Sequence, residues 1–171
     1  IGDGAAWLWN IVDECFPKAI QILDKFHAKE HIHDVGKAIF GAGSDLGTAW
    51  TKQRCAELDR GQIGTLIEAL DAKRTNTEAA AQCAQYFRNH RHRMDYPRYE
   101  ALGLCVGSGV VEAGCKTAIG ARLKRAGMHW SETGANAIAA LRCCQLSGRY
   151  DQFWTWRAQA KLNKTQPKKA A

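Results

Sequence analysis

No apolar run in this 171-residue chain is long enough to cross a membrane. No signal peptide opens it, because Ile1-Gly2-Asp3-Gly4 lacks a basic segment followed by an apolar one. An initiating Met is also missing, so the chain reads as cut from something longer. Its seven cysteines include no CxxC pair and no zinc-finger spacing. That excludes the common zinc modules and predicts free, mostly buried thiols in a reducing cytoplasm. No segment repeats. What is present suits one domain with a sizeable core: 46% of residues are hydrophobic and the formal net charge is +7. Such a charge fits a polyanionic partner.

The most informative stretch runs from Gly103 to Trp130. Ser108, between two glycines, is a good N-cap for a helix carrying Val111, Cys115 and Ala118 on its apolar side. Glu112 stands in the first turn, where an acid is favourable with no further role. Arg122, Lys124 and Arg125 follow near the helix end. Elsewhere, Trp7, Ile11 and Cys15 predict a short helix ending before Pro17. Ala19 to Asp24 reads as a buried strand, with helix as the competitor, and His27 to Phe40 as a helix. Three helices should follow. One is capped at Ser44 or Asp45, one carries Ile63, Leu66, Ile67 and Leu70, and one starts at Thr77-Glu78. After a basic connector from Asn89 to Gly103, a helix from Ser131 should turn Ala135, Ile138, Leu141 and Cys144 toward a core. A last helix spans Arg149 to Leu162, where core packing suits Trp154 and Trp156 better than stacking on bases.

Three acids, Asp3, Asp24 and Glu112, flank regular elements. Carboxylates at such places can gather Mg²⁺ beside a phosphate, and two ions can activate one oxygen and stabilise another. Asp24 could equally cap the helix after it. His27-Ala28-Lys29-Glu30-His31 fits the H-x-x-E-H pattern of inverted zinc peptidases, with Glu112 as a conceivable third ligand. A structural role for these histidines competes with it.

Several blocks, in order and widely spaced, resemble the C-terminal half of bacterial insertion-sequence DDE transposases of the ISKra type, relatives of the Mutator-like group. They are Gly2 to Asn10, Ile22 to His31 with an Asp24-x-x-His27 motif, Arg93 to Pro97, Gly107 to Glu112, and Arg122 through Trp130. The resemblance implies an α/β RNase H-like catalytic-domain fragment with an all-helical insertion, predominantly helical as isolated, with one or two short strands. The implied segments are 1–40 as core, 41–100 as helical insertion and basic connector, 101–160 as C-terminal helices with the catalytic Glu, and 161–171 as a disordered basic tail. Also implied is DNA cleavage and strand transfer with Mg²⁺ or Mn²⁺. Asp3 and Glu112 would be catalytic metal ligands, supported by Asp24 and His27. Arg91, Arg93, Arg122, Lys124 and Arg125 would contact DNA phosphates. Transposon ends and target DNA would be partners, with a possible homo-oligomer, in the cytoplasm and nucleoid-associated, without a membrane. The family's first catalytic Asp lies on a strand before Ile1, so this chain alone should not be a competent transposase. A non-catalytic DNA-binding remnant is the alternative.

Overall fold

A computed structural model describes residues 1–75 and 77–165, with side chains through 161. The chain divides into two units, Ile1–Val110 and Val111–Ala171.

In the first unit, helices α1 (Ala6–Cys15), α2 (Lys25–Phe40), α3 (Asp45–Asp59), α4 (Ile63–Asp71), α5 (Glu78–His90) and α6 (Tyr96–Ala101) follow one another, with a 3₁₀ turn at Arg91–Arg93. Side-chain acceptors set the starts of α2, α3 and α5. Asp24 takes the amides of Phe26 and His27, Ser44 that of Gly47, and Thr77 that of Ala79. Helices α2 to α5 pack in sequence, and α2 also meets α5. The apolar stripe of α4 is wholly inward: Ile63, Leu66, Ile67 and Leu70 are all buried. They join Ile32, Leu58, Phe87, Met94 and Tyr96 in one core. Burial of such side chains contributes roughly 1.5–3 kcal/mol each and is the main force holding the unit together. Inside it lies an ion pair invisible to periodicity, Arg54 Nη2 to Glu57 Oε1 at 2.5 Å.

The expected α/β RNase H-like fold is overturned. Among the described residues there is no sheet, and the chain is all-helical. The two segments expected as strands meet at a single parallel bridge, Gly2 to Leu23. The amide of Gly2 donates to the Ile22 carbonyl at 3.1 Å, and that of Asp24 to the Gly2 carbonyl at 2.7 Å. A ladder cannot grow from there. Leu23 donates its amide to the Arg93 carbonyl and Lys25 donates to that of Val106, so a 3₁₀ turn and a loop occupy the places of further strands. Ile22 and Leu23 are buried because helices cover them, which gives a short apolar run the same look as a sheet strand.

The second unit holds α7 (Gly109–Cys115), a π-helical turn Lys116–Gly120, α8 (Ala121–Leu123), α9 (Glu132–Leu146) and α10 (Tyr150–Thr165). Ser131 caps α9 through the Gly134 amide. Arg142 of α9 donates to the carbonyls of Thr117 and Ala118 at 2.7 and 2.8 Å, satisfying acceptors at the widened turn. No described side chain from 111 to 161 is buried. Ala135, Ile138, Leu141 and Cys144 do form the less exposed face of α9, whereas Val111 and Cys115 are exposed, against expectation. Helix α10 continues to Thr165, so its last turn enters the segment 161–171 expected as a basic tail, of which 166–171 lie outside the described residues. The side chain of Lys164, with Lys168 and Lys169, lies outside the described residues.

Candidate functional site

Asp3 and Asp24 each follow a residue of the Gly2–Leu23 bridge, so they leave it side by side. Their environments differ. Asp24 is buried; its Oδ1 accepts the amides of Phe26 and His27 at 2.7 and 3.2 Å, and its Oδ2 accepts the Ser108 amide at 2.8 Å. Burial raises its pKa, but the hydrogen bonds from Ser108, His27 and Phe26 outweigh that and hold the carboxyl below its ordinary value. Both oxygens are therefore committed to the fold. Asp3 is exposed, and its Oδ1 accepts the Ala5 amide at 3.0 Å. Its carbonyl accepts the Tyr86 hydroxyl at 3.1 Å.

A row of rings lies beside these acids. His27 and His31 meet edge-on with centroids 4.9 Å apart, His31 lies 4.3 Å from Tyr86, and Tyr86 lies 4.9 Å from His90. Desolvation, with the charge of His27, depresses the pKa of His31; desolvation, with Arg93, depresses that of His90. His27 Nδ1 lies 3.1 Å from Glu30 Oε2, so the glutamate of the H-x-x-E-H pattern is engaged by its own first histidine. No three His, Cys, Asp or Glu side chains gather to hold a metal among the described residues. Asp3 is the sole exposed member of the Asp3–Asp24 pair, and one carboxylate does not make a two-ion Mg²⁺ donor set. Glu112 belongs to the other unit, exposed on α7.

The expected phosphate contacts also divide. Arg93 is half-buried; its Nε donates to Gln21 at 2.7 Å and its guanidinium lies 4.3 Å from the Trp9 ring, so it ties α1 to the 3₁₀ turn. Arg91 is exposed in that turn. Arg122, Lys124 and Arg125 cluster in the second unit. Lys124 and Arg125 are exposed there, and Arg122 lies 5.7 Å from the Trp130 ring.

No family model, no curated protein and no solved structure matches the chain. Weight therefore falls on its own chemistry. Ile1–Val110 carries 13 Lys and Arg against 14 Asp and Glu, while Val111–Ala171 carries 11 against 3. The whole net positive charge resides in the second unit. Counting over the entire chain hides this, because the first unit is close to neutral.

Two further features escaped sequence reasoning. A cavity of about 620 Å³ opens along α2 and α3, with Lys29, His33, Lys37 and Lys52 in its lining. Nothing in the helical spacing marks it. The thiols also differ from expectation. All seven are free, yet Cys83 alone is buried, with its pKa pushed up to about 12 by desolvation. Cys15, Cys105, Cys115 and Cys143 are exposed. Among the described residues no helix is long and apolar enough to cross a membrane.

Proposed function

We propose that this chain is the DNA-gripping part of a DDE-type transposition protein and does not cleave DNA by itself. The observation that carries the proposal is the charge segregation: 11 cations against 3 acids in the second unit, beside a near-neutral first unit. Contacts from Arg122, Lys124 and Arg125 to phosphates would release counterions and give affinity without sequence information. On this account the protein works in the bacterial cytoplasm, nucleoid-associated, on transposon ends and target DNA, and homo-oligomerisation belongs to the same expectation. The link to transposition comes from the residue blocks and not from the fold. Fluorescence anisotropy with a labelled duplex, over a series of salt concentrations, tests it. Binding should weaken steeply with salt and be unchanged by Glu112→Gln.

Metal-dependent strand cleavage is the second reading, favoured by the exposed carboxylate of Asp3 next to Asp24 at the bridge. Mg²⁺, if Asp3 helped to hold it, would supply charge stabilisation at a phosphodiester. A nicking assay in Mg²⁺ or Mn²⁺ decides between the two. Nicking by the wild type that Asp3→Asn and Glu112→Gln abolish would favour catalysis.

A further inference from the structure

The last helix, expected to hide its tryptophans in a core, instead shows them. Trp154 is 43% exposed, Trp156 65% and Tyr150 42%, while Phe153 alone among these rings is turned partly inward. Tyr150, Trp154, Arg157 and Lys161 recur at helical spacing and share one face of α10. The Tyr150 and Trp154 rings lie 5.9 Å apart, and the Arg157 guanidinium lies 5.7 Å from the Trp154 ring. Two aromatic rings and then two cations thus follow one another along a single stripe, in the unit that carries all the net positive charge.

From this juxtaposition we infer that α10 is a stacking platform for unpaired bases, so the preferred ligand of the second unit is single-stranded DNA or a frayed duplex end. The inference rests on the DNA-binding function proposed above and narrows its substrate. Bases present π-faces that stack on Trp and Tyr, while neighbouring Arg and Lys neutralise the phosphates between them. A duplex buries its bases and cannot use the rings. The same residues do not suit a lipid surface. An interfacial helix places its aromatic side chains opposite its cations, whereas here both occupy one face.

Anisotropy of the full chain with a labelled 20-nucleotide single strand and a duplex of equal length tests this. The wild type should prefer the single strand. Tyr150→Ala with Trp154→Ala should weaken single-strand binding at least about tenfold and leave duplex binding within about twofold. Tyr150→Phe with Trp154→Phe, which keeps an aromatic ring at each position, should restore most of the loss and guards against a folding defect, as does an unchanged helical circular-dichroism signal. Equal affinities for both DNA forms, with the alanine variant indistinguishable from wild type, would overturn the platform and leave duplex gripping intact. Binding to neither form would overturn DNA binding itself. Binding to anionic phosphatidylserine vesicles in place of DNA would assign α10 to a membrane surface and defeat the inference.

Discussion

The carboxylate of Asp24 accepts the backbone amide of Ser108, 84 residues along the chain, at 2.8 Å. The same side chain caps α2 through Phe26 and His27. One buried acid thus joins the start of a central helix to the Gly107-Ser108-Gly109 turn. Gly107 completes the join, since a Cβ there would lie 2.7 Å from the Phe26 ring.

Replacing Asp24 should therefore be a stability lesion. Asp24→Ala strands three amide donors and should cost about 1–3 kcal/mol in urea denaturation. Duplex affinity of the folded variant should stay within about twofold of wild type. A large loss of affinity with unchanged stability would return Asp24 to the site-supporting role expected from the resemblance.

Stability should fall as pH drops from 7.5 to 5.5. His31 and His90 have pKa values depressed by burial, so below their ordinary value near 6.5 the unfolded chain binds protons that the folded chain resists. Their contribution is complete above that pH and is lost on acidification through the folded values. Asp24, also depressed, adds a further loss at lower pH, beginning near its ordinary value of 3.8. Urea midpoints across this range measure it, and His31→Gln with His90→Gln should flatten the slope between pH 7.5 and 5.5.

The α2–α3 contact depends on the absence of a side chain at Gly36. An added Cβ would lie 2.2 Å from Thr51 Oγ1, and Thr51 is buried. Gly36→Ala should destabilise by about 1–3 kcal/mol despite its better helix propensity. Adding Thr51→Ala should recover most of that loss, a coupling that a double-mutant cycle reads directly.

Helix starts were the most legible part of the fold. Ser44, Thr77 and Ser131 each hold the amide expected of an N-cap, and the α4 stripe is buried as its spacing predicts. The run before Asp24 misled because burial under helices and burial in a sheet select the same apolar residues. Cys115 and Trp154 misled for a different reason: periodicity marks which face is apolar, not whether anything covers it. Of the candidate site, the Asp3–Asp24 adjacency was foreshadowed by acids next to short apolar segments. Arg93 looked like a phosphate contact, but its stacking on Trp9 and bond to Gln21 join residues distant in sequence, which no local pattern reveals.

The most direct test of DNA gripping is duplex affinity against salt for the wild type and for Arg122→Gln/Lys124→Gln/Arg125→Gln. The account predicts a steep fall in wild-type affinity with salt. In the variant, the slope of log affinity against log salt should be shallower by roughly 2–3, about 0.9 for each lost phosphate contact. A wild type that fails to bind duplex at low salt, or a variant with an unchanged slope, would contradict it.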